Sequence, residues 1–197
     1  MIRSRTFART AASLAVAALA LSACGTTEVS EAADVASATS ESCAADTTTT
    51  STGAVSMTDG VGRTVELDKP AERIAVLEWQ QIEDALTLCV TPVAVSDAEG
   101  YGTYVSAETL PEGVVDIGTR GEPDMDALYA ADPDLIIVEA YSADDELIAQ
   151  LEERGVPVLA TVGADGADPI GNMKNVFTMI AEATGRTDRA ANVLGDF

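Results

Sequence analysis

The chain has 197 residues with 11 basic side chains, 33 acidic ones and no histidine, a net charge of −22. So acidic a chain excludes nucleic-acid binding, because neutralising phosphates needs clusters of Lys and Arg that it lacks. With no imidazole and only three scattered cysteines it offers no ligand set for a directly bound zinc or copper ion.

Arg3, Arg5 and Arg9 form a positive n-region, followed from Ala11 to Leu21 by the apolar run AASLAVAALAL. That run is shorter than a membrane span and has small residues at its end, as a signal peptide does. Leu21-Ser22-Ala23-Cys24 resembles the bacterial lipobox. The motif implies a lipoprotein signal peptide over residues 1–23 and diacylglyceryl attachment to the Cys24 thiol. The mature chain is then held outside the cytoplasmic membrane by lipid, without a spanning helix. Removal of residues 1–23 leaves eight basic against 33 acidic side chains, a net charge of −25.

Residues 25–52 are dominated by Ser, Thr, Ala and acidic residues, with no aromatic residue and no Leu. Such a stretch cannot bury enough apolar area to offset chain entropy, so residues 24–53 are expected to form a disordered tether. Cys43 lies in it, whereas Cys89 ends an apolar helical pattern. A disulfide between them would pin a floppy segment to a core position, and Cys89 reads instead as a buried small hydrophobe.

From Val55 the pattern changes. Val55–Asp59, a Gly60-Val-Gly62 loop and Arg63–Leu67 predict a hairpin. Arg73–Glu78 is a short apolar run suited to a buried parallel strand. Gln80–Leu88 carries Ile82, Ala85, Leu86 and then Cys89 at helical spacing. Pro92–Ser96 is a strand, followed by a Gly/Tyr-rich loop to about Pro111, and Val114–Ile117 is another strand. Met125–Ala131 predicts a short helix, Asp134–Glu139 a buried strand, Asp144–Arg154 an amphipathic helix closed by Gly155, and Pro157–Thr161 a last strand. Asn172–Thr184 is a long helix ended by Gly185, and Thr187 has the character of an N-cap for a helix running to the end of the chain. Regular alternation of strand and helix predicts an α/β fold: a parallel sheet covered on both faces. There is no glycine-rich phosphate loop after any strand and no catalytic constellation, so the chain is not expected to be an enzyme and no cofactor is implied.

The segments that carry a family resemblance lie in order along residues 55–197. Arg73-Ile-Ala-Val-Leu-Glu-Trp79 is similar to the first core strand of the hydroxamate branch of siderophore-binding proteins. Leu88-Cys89-Val90-Thr91-Pro92-Val93 is similar to that family's Leu-Gly-Val-x-Pro-Val, with Cys89 in place of glycine. Asp116-Ile-Gly-Thr-Arg-Gly-Glu-Pro-Asp-Met-Asp126 resembles its cleft loop and the short helix that follows, and Asp132-Pro-Asp-Leu-Ile-Ile-Val138 its Pro-Asp-Leu strand. The chain thus resembles the siderophore-type substrate-binding proteins of ABC importers. Those proteins have two α/β lobes joined by one long helix, with ligand held between them. Residues 54–186 correspond to the N-terminal lobe and residues 187–197 to the start of the interlobe helix, inside which the chain stops at Phe197. A second lobe would then lie on another chain or in a part of the protein beyond this sequence.

The resemblance implies a ferric hydroxamate siderophore as ligand, with the iron held by the siderophore, and the permease of an ABC importer as partner. It places ligand contacts at Trp79, as a flat wall with its indole N–H free to donate, at Arg120, and at Tyr141. Tyr101 and Tyr104 would add an aromatic rim, and Asp126 occupies the position of an acid that docks an arginine of the permease. For Arg120 a surface ion pair with Glu122 or Asp124 is the plainer alternative. For Trp79 that alternative is packing, and for Asp126 it is a helix-dipole contact. Catecholate complexes, with several negative charges, suit so acidic a lobe poorly, whereas neutral or cationic hydroxamate complexes suit it well. A corrinoid ligand, or a single-lobe surface protein that binds another protein, are the other functions the sequence leaves open.

Overall fold

The computed structural model describes residues 40–196, so the expected signal peptide, the Cys24 lipid site and the tether up to residue 39 lie outside the described residues. The described residues begin with α1 (Glu41–Ala44) and the antiparallel hairpin β1 (Val55–Thr58) and β2 (Thr64–Leu67), in which Val55 pairs with Leu67 and Thr58 with Thr64. It continues through β3 (Ile74–Val76), α2 (Trp79–Thr87), β4 (Ala94–Val95), α3 (Ala98–Tyr104), β5 (Val115–Asp116), α4 (Met125–Ala130), β6 (Leu135–Glu139), α5 (Glu146–Leu151), β7 (Val158–Thr161), α6 (Pro169–Ala183) and α7 (Thr187–Asp196).

Five strands form one parallel sheet in the order β5-β4-β3-β6-β7. Its strands read as continuous apolar runs because both faces are covered. Ile74, Val76, Leu135, Ile137 and Leu159 point into a core shared with Ile82 and Leu86 of α2, Val176, Phe177 and Ile180 of α6, and the hairpin. The alternating residues Ala75, Leu77, Ile136, Val138, Val158 and Ala160 point the other way, into a second core with Leu128 of α4 and Ile148 and Leu151 of α5. Carboxylates start the helices on both faces. Asp124 accepts from the backbone of Asp126 and Ala127, Asp145 from Leu147, and Asp168 from Gly171 with Pro169 at the first turn.

Two expectations are corrected. The Gly/Tyr-rich stretch after β4 contains a helix, α3, despite Gly100 and Gly102. Asp97 starts it from a left-handed backbone (φ 56°), its side chain accepting from the Gly100 amide, and Tyr101 anchors it in the core. Composition favoured a loop there, but a cap and one buried aromatic outweigh the glycine penalty.

The second correction concerns residues 40–53. Cys43 is disulfide-bonded to Cys89, with Cα atoms 5.4 Å apart, so Cys89 is not a free buried hydrophobe. The segment beyond it is tied down by polar groups where composition predicted a tether. The half-buried Asp46 carboxylate pairs with Arg186, and Arg186 also donates to Thr50 Oγ1 (3.0 Å) and to the Leu88 carbonyl (2.9 Å). The Ser51 amide donates to the Gly185 carbonyl at 2.9 Å. Composition measures apolar area only, whereas this segment is held by a covalent bond and an arginine. Cys89 itself has φ 63°, the left-handed region that favours glycine after a helix, which accounts for the glycine of the motif it resembles.

Candidate ligand site at the carboxyl ends of the sheet

From β3 the chain moves outward through β4 to β5, then returns to the other side of β3 to form β6 and β7. Connections leaving β3 and β6 therefore diverge, the reversal at which open α/β sheets carry their ligand crevice, beyond the carboxyl ends of the strands. The residues that follow them line it: Glu78 and Trp79 after β3, Glu139 at the end of β6, and Tyr141 just beyond. Glu139 ends β6 and Glu78 lies two residues beyond β3, near enough for the Glu139 charge to act on the Glu78 carboxyl.

Trp79 opens α2 and is stacked on Tyr104, with ring centroids 5.6 Å apart and planes inclined by 26°. The close approach needs Gly100: a Cβ there would stand 2.4 Å from Trp79 Cζ2. The indole N–H donates to the Asp97 carbonyl at 3.3 Å, so it is not free for a ligand as expected, and this bond fixes the ring. Tyr104 is 76% exposed and supplies the outer aromatic surface.

Arg120 is presented by a tight loop. Gly118 has φ 88° and bridges to Pro123, and Asp116 accepts from the Gly118 amide at 2.9 Å. The guanidinium lies 4.2 Å over the Trp79 ring and donates to Glu78 Oε2 at 2.8 Å. Its ion-pair partner is thus Glu78, not Glu122 or Asp124, and the latter instead caps α4. Glu78 stands at the N-cap position of α2 but makes no side-chain cap bond, which leaves its carboxylate for Arg120. Burial pushes the Glu78 carboxyl above its ordinary range, the Arg120 hydrogen bond and charge oppose that, and the Glu139 charge adds to it. Arg120 remains 42% exposed, so its outward N–H groups face solvent while its plane is held between acid and indole.

Beyond β6, the Tyr141 hydroxyl donates to Glu139 Oε1, and Tyr141 is 69% exposed. The hydrogen bond to Glu139, and then the Glu139 charge, raise the phenol's pKa. Beneath them Gln81 Nε2 donates to Thr161 Oγ1 at 2.9 Å, both side chains fully buried, which braces the start of α2 to the end of β7.

The structure therefore brings Trp79, Tyr104 and Arg120 into one cluster, with Tyr141 just beyond the end of β6. Tyr101 does not join the aromatic rim. It is 1% exposed, packs in the core and donates its hydroxyl to the Glu108 carbonyl at 2.8 Å, because Asp97 starts α3 in a phase that turns Tyr101 inward and Tyr104 outward. Asp126 lies in the first turn of α4, its side chain 92% exposed, 3.1 Å from Arg154. Among the described residues no group of His, Cys, Asp and Glu is arranged to hold a metal ion, and no helix is long and apolar enough to cross a membrane. Sequence reading missed Glu78 and Glu139 as site residues. The signal that finds them is position: each is an acid ending an apolar run on one of the two strands that flank the reversal.

A profile for periplasmic binding proteins matches residues 74–197. The chain is 31% identical over 111 residues to the iron(3+)-hydroxamate-binding protein FhuD of Escherichia coli K12, covering 56% of this chain and 36% of that protein. It is 29% identical over 183 residues to the probable siderophore-binding lipoprotein YfiY of Bacillus subtilis 168, covering 92% of this chain and 50% of the relative. The crystal structure of the siderophore-binding protein FhuD from Vibrio cholerae with Fe3+-Desferal bound superposes with a TM-score of 0.58 at 28% identity, over 64% of this chain and 46% of that one. The chain thus spans half or less of the length of these relatives.

Proposed function

This chain belongs to the periplasmic binding protein family, and from that premise we propose that it binds ferric hydroxamate siderophores for an ABC import system. The observation that carries the proposal is the Trp79–Arg120–Glu78 arrangement at the switch point of the sheet. An indole and the exposed ring of Tyr104 offer flat apolar surface to a siderophore backbone, and a guanidinium already oriented by Glu78 offers N–H groups to hydroxamate oxygens around the iron. Tyr141, just beyond β6, adds an exposed ring whose hydroxyl is held by Glu139. Pre-orientation matters because an arginine held before binding loses less entropy on capture. The role is binding, with no bond made or broken.

In the same proposal Cys24 carries the lipid anchor and the chain works at the outer side of the cytoplasmic membrane. Asp126 is the acid offered to the permease, on a helix that directly follows the Arg120 loop. The name of the Bacillus relative, a lipoprotein, supports the anchor.

Trp79 is the only tryptophan, so its fluorescence in the full chain reports one site. Titration with ferrioxamine, ferrichrome and a ferric catecholate should give saturable quenching by the hydroxamates. Arg120→Ala should weaken it by about 1.5–3 kcal/mol, the worth of a charge-assisted hydrogen bond. Absence of saturable quenching by every complex, from a protein with an intact fold, would remove the hydroxamate assignment.

A further inference from the structure

Glu139 takes no part in the wall formed by Trp79, Tyr104 and Arg120, yet the fold makes room for it. An ideal Cβ on Gly163, in the loop after β7, would lie 1.8 Å from Glu139 Oε2 and 2.6 Å from Oε1. The carboxylate therefore occupies space that any side chain at 163 would fill. On its other oxygen it accepts the Tyr141 hydroxyl, from a ring that stands in solvent. Its counterpart after β3, Glu78, is already matched by Arg120, so the charges of Glu78, Arg120 and Glu139 sum to one negative.

A ferric trihydroxamate is neutral at its metal centre, and with Arg120 matched by Glu78 the aromatic wall carries no net charge to favour or oppose a pendant group. A carboxylate beside that wall adds a term that depends on the pendant group alone. We propose that Glu139, presented with the Tyr141 hydroxyl over Gly163, is a specificity residue that selects ferric hydroxamates carrying a protonated amine over neutral or anionic ones. The inference rests on the hydroxamate assignment and deepens it.

The test compares ferrioxamine B, which carries a primary ammonium group, with its N-acetylated derivative, which has the same iron centre and no such charge. Both are titrated by calorimetry into the full chain. The ammonium complex should bind more tightly by roughly threefold to tenfold, the range of a solvent-accessible to half-buried ion pair. Glu139→Gln should abolish that preference, with the circular dichroism spectrum and unfolding midpoint of the variant as its folding control. Gly163→Ala, which displaces the carboxylate without removing it, and Tyr141→Phe, which removes one of its hydrogen bonds, should narrow the preference. Equal wild-type affinities for the two complexes, or a preference that survives Glu139→Gln, would overturn this inference while hydroxamate binding stands. If neither complex binds the wild-type chain, the hydroxamate assignment fails and this inference falls with it.

Discussion

The Trp79 side chain is held in place by what is missing next to it. Gly100 lies within α3, where a glycine is intrinsically unfavourable by about 1 kcal/mol relative to alanine, yet a Cβ there would meet both Trp79 Cζ2 and the Asp97 carboxylate at 2.4 Å. Gly100→Ala should therefore destabilise the chain by about 1–3 kcal/mol, the usual cost of overpacking, despite its better helix propensity. It should also shift the Trp79 emission and weaken hydroxamate binding, and a stabilised variant with unchanged emission would show that the ring moves freely. Asp84 on α2 makes a different residue-scale prediction. Burial pushes its carboxyl up to about 7, opposed by the Gln80 amide, and one of its oxygens is buried without a hydrogen-bond partner. The folded chain thus keeps a proton that the unfolded chain releases near its ordinary value of 3.8. The associated stability is complete below that value and is lost as pH rises to about 7. Asp84→Asn should flatten that slope and raise stability at pH 7.5 by up to about 4 kcal/mol, measured by urea unfolding across the pH range. That Trp79 follows a strand end and that Arg120 sits in a glycine-flanked loop was legible in sequence. Tyr101 was not, since which tyrosine of a short helix faces inward depends on where the helix starts, and Asp97 sets that from a left-handed conformation no local pattern announces.

At the scale of elements, the segment around α1 behaves as a clasp across the end of the sheet opposite the crevice. It links the carboxyl end of α2, through Cys43 and Cys89, to the turn between α6 and α7, through Asp46 and Arg186. Closing a loop with a sequence separation of 46 residues should contribute about 2–4 kcal/mol, chiefly by restricting the unfolded chain. Cys43→Ser loses that contribution alone. Cys89→Gly loses it but also relieves the left-handed backbone of residue 89, a gain of about 1 kcal/mol. Denaturant unfolding should accordingly rank the wild type first, Cys89→Gly second and Cys43→Ser third. The reverse order of the two variants would mean that the φ of Cys89 carries no cost. The sheet and the helices packed on it were readable because apolar periodicity reports burial directly, and β3, β6 and β7 fall within the runs Arg73–Glu78, Asp134–Glu139 and Pro157–Thr161. The clasp was not, because its stability comes from one disulfide and from Arg186, 140 residues away from Asp46 in sequence. A composition filter sees only Ser, Thr and acid there.

For the whole molecule the governing quantity is a net charge of −22, and its effect is separable from that of any one carboxylate. A field summed over 33 acidic side chains acts at a distance and on the rate of encounter, whereas Glu139 acts at contact and on residence time. Lowering ionic strength from about 150 mM to about 10 mM lengthens the screening distance from roughly 8 Å to roughly 30 Å. Stopped-flow quenching of Trp79 should then show the association rate of an ammonium-bearing ferrioxamine rising as salt falls, by about a factor of ten or less for a singly charged ligand. The acetylated complex should associate at a rate that hardly changes, and an anionic ferric catecholate should slow. Glu139→Gln removes only one of those 33 acids, so it should leave the salt dependence of association nearly intact and instead speed dissociation of the ammonium complex. A variant that lost the steering but kept the wild-type dissociation rate would locate selectivity in the field of the whole chain and not in the crevice between β3 and β6.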